Sequence, residues 1–476
     1  MSKLFVQKTF IAVFLALLTL SAWNTRLNNF QRTYPDITID EDLFMHLGFY
    51  MTENVSHYNT IPYAAKMRSE GRAVPGYVLK PLFKHPPLYP FLISVAYKIF
   101  AGRPPAAIHV SLLFGVLAIP LGYLLGSLVF NRSVGLCSAV FMYLDPIHII
   151  CSQKIWMETT LSFFTVLSLY LFIYGLKNGK TFFFIFSGMA AGLAALTKYP
   201  GILPALSILI YACFFNKALF RDKNFLIGLL APAAMLLPWG LWNLCVYGPD
   251  FFFGLVQDHG LSTRIPRLSF LFVSVAALLT LSARKDVAGF LNSVKQRLNS
   301  KEAQGVSYKY TVLESLGFIG GIIFLYFLAG AVFKNLDLAS YPKASWHAGL
   351  FKEEGVLFYF KKLTEFSLVY AFAFLSFFIP GDKNKYLPLL KISGLSILLF
   401  YSLWRNYQSR YILAGTPFLI ILGAYTWTTV FHSFSGQKFP LRMLGRLILL
   451  SLAGFILLKT YLINTAVSYG NNMCYF

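Results

Sequence analysis

Asp40 and Glu41 stand at the start of the first long polar stretch of a chain that is otherwise mostly apolar. A positioned carboxylate can accept the proton of a hydroxyl group as that hydroxyl attacks an electrophile. Further along, Lys80-Pro81-Leu82-Phe83-Lys84-His85-Pro86-Pro87-Leu88-Tyr89-Pro90 mixes cations, an aromatic hydroxyl and rigid turns. The prolines fix the backbone around Lys84 and His85. Fixed cations of this kind can stabilise a phosphate that gains negative charge as it departs. Glu158 opens a later apolar segment, Lys198 lies between two others, and Arg405 and Arg410 flank Asn406-Tyr407-Gln408-Ser409. Two guanidiniums that near to each other repel unless an anion or water lies between them, which makes this turn a candidate phosphate clamp.

Each group also has a plainer reading. Acids in the first turn of a helix complement its dipole, and interfacial cations touch lipid headgroups. Ionisable groups held at a water–lipid boundary are nevertheless costly and tend to be functional.

These side chains need a membrane scaffold to position them. Of 476 residues 57% are hydrophobic and 13% charged, against roughly 25% charged in soluble domains. Apolar segments at 4–23, 106–128, 134–150, 159–176, 181–197, 200–216, 225–246, 268–283, 313–333, 364–380, 386–404, 411–430 and 444–463 predict an all-α polytopic membrane protein with about 13 transmembrane helices. The segment 88–101 would reach only ~21 Å as a helix. It is therefore expected as an amphipathic juxtamembrane helix in the first outer loop, 24–105. Residues 1–23 read as an uncleaved first membrane helix, because no small-residue cleavage site follows them.

Short basic connections around residues 132, 177–180, 217–223, 383–385 and 438–446 put the amino terminus inside. The expected location is a cytoplasmic (inner) membrane with the candidate site facing outward. Two regions are expected: a catalytic membrane module at 1–215, and carboxyl-terminal helices at 216–476 with outer loops 247–267 and 334–363.

The net charge of +22 is scattered over short loops, which excludes a nucleic-acid face and suits contact with membrane lipids. The eight histidines and five cysteines show no metal-ligand spacing. There is no phosphate-binding glycine loop, so no nucleotide cofactor is expected. No cofactor is assigned, although the acids leave room for a divalent cation.

The ordered set of motifs has a family look. An Asp-Glu pair after the first membrane helix precedes the Pro-Pro-Leu-Tyr-Pro run. Then come Pro146…Ser152…Glu158, Gly188…Gly192-Leu193…Thr197-Lys198 and Arg410-Tyr411-Ile412-Leu413…Pro417. Together these resemble GT-C glycosyltransferases of the dolichyl-phosphate-mannose protein mannosyltransferase type, with bacterial relatives such as the aminoarabinose transferase of lipid A. The resemblance covers roughly 1–215 and the Arg410 region.

It implies inverting transfer from a polyprenyl-phosphate sugar, of undecaprenyl or dolichyl type, to a glycan, lipid or protein acceptor on the outer face. The catalytic acids would be Asp40, Glu41 and Glu158. Lys84, His85, Tyr89, Lys198, Arg405 and Arg410 would bind substrate. Two positions depart from the family pattern: Phe44 stands where a Tyr is more usual, and His85 stands where many members have Lys, which shifts the phosphate contact toward Lys84. A rival reading is a secondary transporter or flippase of an anionic lipid or metabolite, which would place charges near the bilayer midplane and break its helices.

Overall fold

A computed structural model describes residues 3–33, 37–82, 85–100, 104–248, 358–378, 384–402, 408–435 and 439–468. These residues form helices, short 3-10 turns and connections, with no strand among them. Residues 1–262 and 342–476 make one compact unit, to which all the helices below belong. The segments expected at 268–283 and 313–333, and most of the outer loops expected at 247–267 and 334–363, lie outside the described residues.

The first helix, α1, is Lys3–Thr33. It runs past its expected end at residue 23 and so carries Arg26 inside a helix. The segment expected outside then forms α2 (Ile39–Glu53), α3 (Ile61–Ser69) and α4 (Leu88–Ile99). A capping box starts α2: Glu41 N donates to Thr38 Oγ1 (3.3 Å) and Thr38 N donates to Glu41 Oε2 (2.9 Å). Helix α4 has 12 residues. It buries Tyr89, Ile93, Ala96 and Tyr97, while Phe91, Val95 and Ile99 stay exposed. A helix with apolar residues on both faces suits a position between protein and lipid.

Next come α5 (Ile108–Val129), α6 (Arg132–Leu144) and α7 (Pro146–Ser152). The single crossing expected at 134–150 is in fact α6 and α7, bent by 58°. Asp145 and Pro146 make the break. Asp145 Oδ2 accepts the His148 N–H at 2.9 Å as the cap of α7, and Pro146 has no N–H with which to continue the ladder.

Helices α8 (Glu158–Asn178), α9 (Phe183–Thr197), α10 (Leu203–Phe215) and α11 (Lys223–Tyr247) follow. After the gap come α12 (Phe358–Phe366), α13 (Leu368–Leu375), α14 (Leu387–Ser402), α15 (Thr416–Ser435) and α16 (Phe439–Ser468). The segment expected at 364–380 is interrupted as well: Ser367 is extended and caps α13 through Val369 N.

Among the described residues four helices can cross a bilayer by length and composition, namely Phe5–Gln31, Pro104–Val129, Glu158–Asn178 and Lys223–Tyr247; the bent pair makes a fifth. Against the expected thirteen, other segments form shorter apolar helices: Phe183–Thr197, Tyr199–Phe215 and Leu387–Ser402. The outward faces of α1 and α11 carry exposed Phe10, Leu17, Leu20, Leu230, Leu237 and Leu241, as lipid contact requires.

Helices α9 and α11 approach until their backbones touch. A Cβ on Gly188 would lie 2.7 Å from the carbonyl carbon of Gly228. Small residues at both positions permit this crossing, which fixes α9 and with it Lys198 just past its end.

Candidate active site

Three consecutive acids in the first turn of α2 point to three different partners. Asp40 Oδ2 accepts from Arg410 Nη2 at 2.7 Å. Glu41 is fully buried and faces inward. Besides its part in the capping box, its Oε1 accepts the Ile155 N–H at 2.9 Å, and Lys154 Nζ lies 4.0 Å from its Oε2. Asp42 accepts from Tyr63 Oη (2.9 Å) on α3 and from Arg72 Nη1 (3.1 Å). Burial would push the Asp42 carboxyl up, but hydrogen bonds from His46, Tyr63 and Arg72 hold it well below the usual carboxylate range. Glu41 and Asp42 therefore fasten α2 in place, and Asp40 is presented.

Arg410 lies in the 3-10 turn Ser409–Ala414, between α14 and α15. Its Nε donates to Gln408 Oε1 at 2.6 Å and lies 4.0 Å from Glu158 Oε1. Lys198 Nζ donates to the same Glu158 oxygen at 3.1 Å. The result is a row of alternating charge: Asp40, Arg410, Glu158, Lys198. Burial of Arg410 would lower its pKa, but Glu158 and Asp40 keep it raised.

Aromatic faces support the cations. The Arg410 guanidinium is 4.5 Å from the Trp156 ring centroid, and Lys198 Nζ is 4.0 Å from that of Tyr411. Access to water falls from the Asp40 side chain (34% exposed) through Arg410 (11%) to Glu158 (4%) and rises again at Lys198 (10%).

The remaining candidates sit around this row. Tyr89 is fully buried and shares a hydrogen bond with Ser111 Oγ (2.6 Å), which donates to Trp156 O (2.9 Å). Tyr89 thus braces the loop before Glu158, with Phe44 packed edge-on at 5.1 Å. The carbonyl of His85 accepts from Tyr58 Oη at 2.8 Å. Nearby, Tyr247 Oη, at the end of α11, accepts from Leu82 N (2.8 Å) and donates to Leu82 O (3.1 Å). Two tyrosines thereby anchor the Pro-rich run on both sides of Lys84. Lys84 and Arg405 themselves lie outside the described residues.

Sequence reasoning missed three supports: Lys154 on Glu41, Trp156 under Arg410, and a buried polar network beneath the break. In that network Arg26 Nη1 donates to His148 Nδ1 (3.2 Å) and Ser152 Oγ (3.0 Å), while Tyr370 Oη donates to Asp145 Oδ1 (2.6 Å). Asp-Pro inside an apolar run signalled the break; Arg26 gave no signal while α1 was taken to end at residue 23.

Among the described residues no three His, Cys, Asp or Glu side chains gather as metal ligands. Asp40 and Glu158 meet instead across a guanidinium.

These helices, with their charge row at one cluster of helix ends, define a polytopic membrane protein. Its fold is shared with solved structures of ArnT and AglB. The chain resembles ArnT of Cupriavidus metallidurans with a TM-score of 0.53 at 13% identity, covering 97% of this chain and 75% of that one. It resembles the oligosaccharyltransferase AglB of Archaeoglobus fulgidus with a TM-score of 0.54 at 16% identity, covering 98% and 57%. Likeness at such identities is likeness of fold. Residues 84–242 match the family model for Dolichyl-phosphate-mannose-protein mannosyltransferase. An uncharacterised protein of Aquifex aeolicus is 28% identical over 178 residues, 37% of this chain and 36% of that protein. The match therefore spans about a third of that relative's length.

Proposed function

We propose that the chain is an inverting glycosyltransferase. It moves a sugar from a polyprenyl-phosphate donor to an acceptor hydroxyl on the outer face of a cytoplasmic membrane. One observation carries this reading: Asp40, Arg410, Glu158 and Lys198, from four separate elements, converge in a single charge row.

Asp40, at the row's exposed end, takes the acceptor's proton as the hydroxyl attacks the anomeric carbon. The bond to the phosphate breaks, and Arg410 and Lys198, joined by Lys84 and His85, stabilise the charge on the departing polyprenyl phosphate. Glu158 holds the two cations in register. The donor class is supported by structures of similar fold, ArnT bound to undecaprenyl phosphate at a TM-score of 0.50 and AglB in complex with dolichol-phosphate.

The full chain, reconstituted in liposomes with polyprenyl-phosphate sugars, should consume one of them, and cells lacking the protein should accumulate that lipid-linked sugar. Absence of transfer from every such donor, together with an unchanged lipid-linked glycan profile, would overturn the reading. Reporter fusions after residues 60 and 300 should report opposite compartments; the same compartment for both would break the proposed topology.

A further inference from the structure

The Arg410 guanidinium is held on its Nε edge by a neutral group. Its Nε–H donates to Gln408 Oε1 at 2.6 Å, while Glu158 Oε1 stands off at 4.0 Å. A carboxylate would be the stronger partner for that donor. A direct pair with Glu158 would draw the guanidinium toward the buried acid and neutralise more of its charge. The Gln408 amide occupies that position instead, and Nη2 remains directed at Asp40.

Gln408 is itself clasped. The hydroxyl of Tyr359, a fully buried residue of α12, accepts from Gln408 N (3.3 Å) and donates to Gln408 O (3.1 Å). The same carbonyl accepts the Tyr411 N–H at 3.0 Å, which closes the first turn of the 3-10 segment that carries Arg410. The Tyr359 ring also meets Tyr401 at 6.3 Å, and Tyr401 stacks on Tyr411, the ring beneath Lys198. One tyrosine of α12 therefore reaches the supports of both cations. A side chain as long as arginine is effective in a transition state only when its supports hold it in one pose.

We propose that Gln408 is the positioning residue of Arg410, setting the guanidinium between Asp40 and Glu158, and that Tyr359 holds Gln408 in that pose. The inference rests on the glycosyltransferase reading and adds to it a residue that acts on the reaction through Arg410.

The test uses the full chain in liposomes with the polyprenyl-phosphate sugar that the wild-type chain consumes. Rates are taken per molecule of protein that is monodisperse before reconstitution. Gln408→Met keeps the length of the side chain and removes the amide; kcat should fall roughly tenfold to a hundredfold, the range of one hydrogen bond to a charged group. Tyr359→Phe keeps the ring, and kcat should fall about threefold to tenfold. Arg410 acts on the departing phosphate, so the donor KM should stay within about twofold in both variants.

A wild-type kcat in Gln408→Met overturns the inference whatever the melting temperature, because the amide would then be structural. A donor KM that rises as far as kcat falls also overturns it, since Gln408 would then serve ground-state binding. A wild-type kcat in Tyr359→Phe overturns the part given to Tyr359. Failure of the wild-type chain to consume any such lipid overturns the glycosyltransferase reading and this inference with it.

Discussion

Replacing Asp40 by Asn should lower kcat for sugar transfer by roughly 10²–10⁴-fold, the range a positioned general base contributes. The amide can still accept a hydrogen bond from Arg410, and Arg410 keeps Glu158 at 4.0 Å. The folded protein should therefore be recovered in wild-type amounts. Steady-state kinetics checks the first expectation and thermal unfolding the second; a wild-type rate would remove Asp40 from the mechanism.

Asp42, two residues away, is the natural contrast. Its carboxyl titrates below the usual range because the hydrogen bonds from His46, Tyr63 and Arg72 outweigh its burial. Its stabilising effect is thus present above the ordinary carboxylate pKa and is lost as pH falls through the lower folded value. At neutral pH Asp42→Asn should reduce stability and leave kcat nearly intact, the reverse of the Asp40 pattern.

The second large effect is expected at Arg26. Its guanidinium is 2% exposed and attracts Asp145, while His148 links the two through its ring nitrogen and its backbone N–H. Arg26→Met should destabilise the protein by about 1–3 kcal/mol, because it leaves the buried His148 Nδ1 and Ser152 Oγ without their donor. The double variant Arg26→Met with Asp145→Asn should recover part of that loss in thermal unfolding. Strictly additive losses would show that the two residues are not coupled.

How far the sequence revealed this site depends on where each residue falls along its helix. Asp40, Glu158, Lys198 and Arg410 all stand at or beside helix ends, where charge in an apolar chain attracts notice. Their convergence could not be read, because nothing in the spacing brings residue 410 back to residue 40. Glu41 shows the opposite difficulty. Neighbouring positions on a helix point about 100° apart, so two adjacent acids of similar chemistry can face solvent and core respectively. Glu41 became the capping partner and the acceptor for Ile155 N. The interruption at Ser367 lies hidden inside a continuous apolar run, whereas Asp145-Pro146 marks its own break with a cap and a proline. Trp156 and Tyr411 looked like ordinary membrane aromatics until their rings were placed beneath cations.

The Asp40–Arg410 contact joins positions 370 residues apart. At synthesis rates of ~5–20 residues per second, the nascent acid waits roughly 20–75 s before the ribosome delivers its guanidinium. Any fragment that stops before residue 410 carries Asp40 without its Arg410 partner.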